Sequence, residues 1–337
     1  MSGKVRGFTW TVEDVNLISE NEIWGDVLVE LAAHDPRIVA LSADLAHSTK
    51  LRRFKETFPE RYFNVGIAEQ NLVAVAAGLA AMGLTPVACT YATFATLRAA
   101  EFVRTDLAYN RRNVKLIGTL AGVAFGQGGP THHAVEDIAL MRAIPGMTVL
   151  APCDGFEMGA ALRAALTFDG PVYLRTGRCL ELPVAERKEP PFAIGAPRVV
   201  RAGSDLAVLA HGNLVGEALR AAERMARAGV SVRVVNVSTL KPLGAEAVLA
   251  AVQGVRAVIT AEDHSVIGGL GSAVAEVLAE HGSGVRLKRL GHPDRWLGMG
   301  VTEDLMHSGG FDEDAIVAAV EELSGARLAR DETWPTP

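Results

Sequence analysis

Short apolar, β-rich runs alternate with Ala-rich or amphipathic stretches along almost all of the 337 residues, and that alternation leaves few architectures open. Runs at 38–42, 62–65, 86–90, 114–118, 148–150 and 172–175 suit strands buried on both faces. Stretches at 20–34, 68–82, 96–109, 135–143 and 156–167 fill the gaps as helices. Strands separated by helices imply a parallel sheet with helices on both sides. The pattern breaks over 185–197, where three prolines and four charges interrupt the periodicity. It then restarts, with strands expected at 206–210, 231–236, 257–260 and 285–289 and helices at 214–228, 245–252, 270–281 and 312–323. The expected fold is α/β in two domains, each a mostly parallel sheet with helices on both faces. They span 1–187 and 199–330, joined by a linker over 188–198, with a frayed tail over 329–337.

Composition narrows the function classes. Lys plus Arg number 33 and Asp plus Glu 39, a net charge of −6 that gives no electrostatic footprint for nucleic acid or an anionic membrane surface. The longest apolar run, 72–84, is Gly-interrupted and too short to span a bilayer, so it reads as a buried helix. No secretory signal precedes the first helix, and Cys89, Cys153 and Cys179 form neither a disulfide framework nor a CxxC pair. These features fit a cytoplasmic protein. The positive mean hydropathy has two readings, an apolar face covered by a partner subunit or simply an Ala-rich chain.

Several polar residues fall where chemistry is done. Glu69 stands just past a strand's carboxyl end, in the first turn of a helix, at the edge where open α/β sheets bind ligands. Flanked by Ala68 and an apolar helix, its carboxyl is placed to hold or share a proton. The bland alternative is an acid that favours the positive end of the helix dipole. The loop 126–133 combines glycines, which allow close backbone approach to a ligand, with His132 and His133; otherwise it is a flexible loop with one capping histidine. Tyr91 and Phe94 form either a flat wall for a ring ligand or ordinary core. Asp44 is a site residue or a loop anchor. The glycine turn 267–271, preceded by Glu262-Asp263-His264, matches a dinucleotide fingerprint only weakly and reads as structural.

Together the segments Ser42-Ala-Asp-Leu45, Asn64-Val-Gly-Ile-Ala-Glu-Gln-Asn71, Gly129-Pro-Thr-His-His133, Glu136-Asp-Ile-Ala-Leu-Met-Arg142, Ile144-Pro-Gly-Met147, Pro152-Cys-Asp154 and 262–271 resemble the transketolase family of thiamine diphosphate enzymes. The resemblance covers nearly the whole chain, but only the family's pyrimidine-binding domain (1–187 here) and C-terminal domain (199–330). No Gly-Asp-Gly, the family's mark for the magnesium diphosphate, occurs. The resemblance therefore implies the C-terminal subunit of a split enzyme, a heterotetramer of two plus two. Thiamine diphosphate would lie between the polypeptides, with Mg2+ or Ca2+ held mainly by the N-terminal, diphosphate-binding subunit.

Residue by residue, Glu69 resembles the family's catalytic glutamate, which hydrogen-bonds the pyrimidine nitrogen and favours the tautomer that deprotonates the thiazolium ring. Phe94, or less securely Tyr91, resembles the aromatic that stacks on the pyrimidine. Asp44 lies in a motif near the cofactor at the subunit interface. His132 resembles the histidine that contacts the donor or intermediate, and His133 stands where glutamine is commonest. Arg175 matches an arginine that helps bind the acceptor's phosphate. Three departures bear on substrate: Leu120 stands where transketolases carry a sugar-contacting histidine, Gly128 where they carry an aspartate that reads a donor hydroxyl, and Asn21 roughly where a phosphate-binding arginine is often found. The implied function is transfer of a two-carbon ketol or acyl unit from a small ketose or 2-oxo acid donor, of a non-standard kind. A 2-oxo acid dehydrogenase β subunit and a non-catalytic regulatory or scaffold subunit are the alternatives.

Overall fold

The computed structural model of the chain describes residues 20–177, 184 and 192–328, and of 20–22 the backbone alone. Cys179, residues 188–191 of the expected linker and the tail from 329 lie outside the described residues. Twelve strands are described: β1 (Ile38–Ser42), β2 (Tyr62–Asn64), β3 (Thr85–Tyr91), β4 (Lys115–Thr119), β5 (Thr148–Leu150), β6 (Val172–Arg175), β7 (Arg198–Arg201), β8 (Leu206–Ala210), β9 (Val232–Asn236), β10 (Thr239–Lys241), β11 (Ala257–Ser265) and β12 (Arg286–His292). They form a seven-stranded sheet in the order β10-β5-β6-β4-β3-β1-β2 and a five-stranded sheet in the order β12-β11-β8-β9-β7. Both are parallel except at one edge, where β10 runs against β5 and β7 against β9.

Strand periodicity explains the layering. Val39 and Leu41 of β1 enter one core and Ile38 and Ala40 the other; Leu116 and Ile117 of β4 divide in the same way. Period-two alternation with both faces apolar is what a sheet covered on both sides requires. Helix Glu69–Ala81 contributes Leu72, Val73 and Ala76 to the first of these cores. A wholly covered leucine such as Leu72 stabilises the fold by about 1.5–3 kcal/mol. That same core takes in Ala207 and Leu209 of β8, Val235 of β9 and Val258 of β11. The two sheets are thus separate in hydrogen bonding but share one apolar interior.

Four elements escape the sequence reading. β10, from the second half of the chain, pairs antiparallel with β5 and completes the first sheet; Lys241 Nζ fastens it by donating to Arg142 O at 2.8 Å. β7 is a second short edge strand. Helices Arg52–Thr57 and Thr302–Gly309 bury only Phe54, and Leu305 with Met306, too few residues to show a period. The helical run over 94–109 is wound with π-type turns at Phe94–Arg98 and Val103–Tyr109. Among the described residues, no helix is long and apolar enough to cross a membrane. Because β2, β1, β3, β4 and β6 are parallel, their carboxyl ends share one edge, where Asn64, Asp44, Tyr91, Leu120 and Arg175 all lie at or just past a strand end.

Candidate functional site

The turn after β2 is folded by one amide. Asn64 Oδ1 accepts from the backbone N–H of Asp44 at 3.0 Å and of Gly66 at 3.1 Å, while its Nδ2 donates to Asp44 Oδ1 at 2.8 Å. Gly66 takes φ +74°, a left-handed conformation that costs glycine little. Asp44 adopts φ +62°, within reach of Asp and Asn, and is exposed. This knot starts the next helix at Glu69. The Glu69 side chain is 2 % exposed and accepts from Arg98 Nη1 at 2.8 Å. The Arg98 guanidinium in turn lies 4.4 Å from the centre of the Phe94 ring, a cation–π contact.

Beside this pair stands an aromatic wall. Tyr91 and Phe94 stack with centroids 5.9 Å apart. His132 meets Phe94 edge-on at 5.5 Å and Phe125 at 5.4 Å, and its Nδ1 lies 3.0 Å from Thr131 Oγ1. Gly128 makes this packing possible, since a Cβ there would fall 2.7 Å from Phe125 Cδ1 and 2.9 Å from His132 Cβ. The structure therefore brings Glu69, Phe94, Tyr91, His132 and Gly128 together. It adds Arg98 and Phe125, which carried no motif and which sequence reasoning missed.

Two expected residues are placed elsewhere. His133 is buried; desolvation pushes its pKa down, and its Nε2 has no hydrogen-bond partner. Arg175 is 6 % exposed and held inside the protein: Nε donates to Asp137 Oδ2 at 2.8 Å and Nη2 to Asp263 O at 2.5 Å, while Tyr173 OH donates to the same Asp137 oxygen at 2.7 Å. A guanidinium so engaged is not offered to an acceptor phosphate, because removing it would leave Asp137 buried without its counter-charge. Leu120, with φ +58°, is also covered.

The glycine turn 267–271 holds a carboxylate of the chain itself. Glu262 accepts from the N–H groups of Leu270 at 2.6 Å and Gly271 at 2.8 Å, capping helix Leu270–Glu280. Burial raises Glu262 to about 7 and Asp263 to about 6, and lowers His264 to about 4. Among the described residues, one group has metal-like spacing, His307 with Asp312 and Asp314. Asp312 caps helix Glu313–Ser324 and Asp314 is paired with Arg224, so the cluster reads as a surface ion-pair network.

Comparison with known proteins bears on both halves. The transketolase pyrimidine-binding domain matches residues 18–181, and the transketolase C-terminal domain matches 195–316. The 6-deoxy-6-sulfo-D-fructose transketolase subunit SqwH of Clostridium sp. (strain MSTE9) is 42% identical over 299 residues, covering 89% of this chain and 92% of that one. An apulose-4-phosphate transketolase subunit of Phocaeicola vulgatus is 36% identical over 301 residues, covering 89% and 96%. A solved structure described as "Split gene transketolase, inactive beta4 tetramer" superposes with a TM-score of 0.84 at 41% identity, covering 93% of this chain and 100% of that one. With matching domains over both sheets and relatives this similar along their length, the chain belongs to the transketolase family.

Proposed function

We propose that the chain is the pyrimidine-binding subunit of a two-component transketolase-like enzyme, transferring a two-carbon ketol or acyl unit to an acceptor when its partner is present. The observation that carries this reading is the placement of Glu69, nearly buried at a helix start, within one ion pair of a stacked aromatic wall that also touches His132. An aminopyrimidine presents a flat π face and a polar ring nitrogen. The Phe94–Tyr91 wall and the Glu69 carboxyl match those two demands, so the residues fit the pyrimidine half of thiamine diphosphate. For the diphosphate half the chain offers little: Gly126 and Gly129 lie against Gly300 and Met299, so the loop is filled by the protein. The diphosphate and its Mg2+ or Ca2+ are accordingly assigned to an N-terminal partner subunit, in a two-plus-two heterotetramer in the cytoplasm.

Bound thiamine diphosphate supplies the electron sink for carbon–carbon cleavage. Glu69 would hold the pyrimidine ring through a carboxyl oxygen and share a proton with it. Phe94 and Tyr91 would fix the ring's plane, and His132 would donate to or accept from a donor oxygen at the wall's edge. Asp44, exposed and bonded to Asn64 at the same sheet edge, is left free to meet cofactor or partner. Leu120 and Gly128 remove two polar contacts, and a lost charge-assisted hydrogen bond is worth about 1.5–3 kcal/mol. The donor on this reading is a ketose or 2-oxo acid other than an ordinary pentose or hexose phosphate. The names of the two relatives, one a sulfo-sugar and one an apulose phosphate transketolase, support a branch of varied donors.

Calorimetry with thiamine diphosphate and Mg2+, with and without the partner, tests the reading. The pair is expected to bind and to consume a ketol donor, and the lone chain to bind weakly. A pair that binds cofactor yet consumes no ketol donor would be a scaffold. Normal turnover of xylulose 5-phosphate with ribose 5-phosphate would sink the claim of an unusual donor.

A further inference from the structure

The loop that carries His132 is gripped by the second half of the chain. Asp263 Oδ1 and Oδ2 each accept from the N–H of Val123 at 3.2 Å. Thr302 Oγ1 donates to Val123 O at 3.2 Å, and Gly300 N–H donates to Gly126 O at 3.2 Å. Past His132, the N–H of Ser265 donates to Val135 O at 2.8 Å, and His264 Nε2 accepts from the N–H of Ala139 at 3.2 Å. Segment 123–139 is thus held at its start, middle and end, with His132 between the grips. Each contact is made to the loop's backbone, so it fixes the path of the chain whatever the side chains are.

The fit is close. A Cβ on Gly122 would lie 2.0 Å from Asp263 Oδ2, and one on Gly126 would lie 2.4 Å from Gly300 O. These glycines therefore bring two parts of the protein together as well as loosening a loop. His264 is set for its task by its own neighbours: Nδ1 lies 2.7 Å from Ser265 O, which makes it the donor and leaves Nε2 as the acceptor. Burial keeps that ring neutral by lowering its pKa to about 4.

We propose that Asp263 and His264 are positioning residues for His132, and that holding this ring against Tyr91, Phe94 and Phe125 is the part the C-terminal domain plays in the reaction. This rests on the reading of the Glu69–His132 cleft as the ketol-transfer site. The physical basis is orientation: a reacting group displaced by about 1 Å can lose on the order of 10²-fold in rate. The loop closes on itself through a Gly122–Ala134 bridge and a tight turn at Gly126–Gly128, and the grip from the second half of the chain fixes where that closed loop sits.

The test uses the chain reconstituted with its partner. Asp263→Ala is expected to lower kcat for donor consumption at least tenfold while cofactor affinity changes less than twofold. Asp263→Asn keeps an acceptor for Val123 and should restore most of the loss. In a His132→Ala background, Asp263→Ala should change kcat less than twofold, because both substitutions remove the same contribution. Additive losses would overturn the proposal, since they would mean that Asp263 acts on stability or elsewhere. Hydrogen exchange on the chain gives a readout that needs no activity. Exchange at Val123 should speed up at least tenfold in Asp263→Ala, with the amides of 69–81 unchanged; unaltered exchange over 122–134 refutes the positioning claim. If Asp263→Ala does not fold, His264→Leu, which removes the acceptor for Ala139, decides by kcat in the same two backgrounds and by exchange at Ala139, which should speed up at least tenfold. A wild-type pair without ketol transfer would sink the functional reading, and the exchange data would still show whether the grip exists.

Discussion

Two glutamate carboxylates lie at the starts of helices, one from the helix itself and one reaching over from β11, and both are almost wholly buried, yet they meet different kinds of partner. Glu262 reaches eight and nine residues ahead to accept from Leu270 and Gly271, and the backbone closes so tightly that a Cβ on Gly269 would lie 1.9 Å from its Oε2. Its oxygens are taken up by the fold. Glu69 is the first residue of its own helix, and its carboxylate answers to the side chain of Arg98, which is 44% exposed. Around it, Phe63, Ile67 and Leu97 present apolar surface. Burial is common to both carboxylates, so burial is not what marks a site. What distinguishes Glu69 is that its partner is a half-exposed side chain, where the partners of Glu262 are buried backbone N–H groups.

The comparison breaks most easily on a crossed pair of substitutions. Glu69→Ala should lower ketol transfer by the reconstituted pair by at least ~10²-fold, the lower end of what a positioned acid–base group contributes. Urea unfolding of the chain should barely move. Glu262→Ala should do the reverse in stability, leaving two buried N–H groups without acceptors at roughly 1–3 kcal/mol each. If Glu69→Ala unfolds the chain and Glu262→Ala does not, the two roles have been assigned the wrong way round.

Acidity sharpens the contrast at Glu262. Folded, the carboxyl keeps its proton up to about 7; unfolded, it releases it near the ordinary 4.5. Between those values the native state binds more protons than the unfolded one, so this group's contribution falls as pH rises. Its facing groups are His211 and His264, both depressed by burial, with Arg175 and Arg142 further off. Wild type should therefore lose stability relative to Glu262→Gln from about pH 4.5 to pH 7, and the difference should level off beyond. A flat difference across that window would show that Glu262 is ionised throughout.

The sequence shows this contrast only in part. Core strands and long helices are legible because each has a period, and the carboxyl-end edge follows from their parallel order. β7 and β10 are three or four residues long, lie at edges and pair antiparallel, so only tertiary packing selects them. Glu69, Phe94, Tyr91 and His132 are readable because each stands at or just past a strand end or in a glycine loop. Arg98 and Phe125 carry no such signal. His133 and Arg175, which the family resemblance brought in, turn inward: His133 is buried, and the Asp137 that holds Arg175 lies on a helix whose approach to β6 no local pattern reveals.

The aromatic wall gives a smaller effect. Phe94→Ala should weaken thiamine diphosphate binding by the pair about three- to tenfold, as expected for loss of a stacked ring worth roughly 0.5–1.5 kcal/mol. An equal loss in Phe125→Ala would mean that the wall acts as a whole, with no privileged stacking face.

The smallest effect tests the half-exposed partner itself. Arg98 donates to Glu69 Oε2 and covers the Phe94 face, so on the proposed reading a pyrimidine ring approaching this wall meets a guanidinium on both residues. Arg98→Met keeps an apolar stem against Phe94 and removes the charge. With the guanidinium half-exposed, the ion pair is screened and worth at most about 1 kcal/mol. Cofactor affinity of the pair should therefore rise by no more than about fivefold at low ionic strength, and the gain should shrink in high salt, where the wild-type pair is already weakened. Calorimetry at two salt concentrations reads both. Weaker binding in Arg98→Met would mean that the arginine orients Glu69 and stays beside it, and Glu69 would then be tied to its partner as firmly as Glu262 is to its helix.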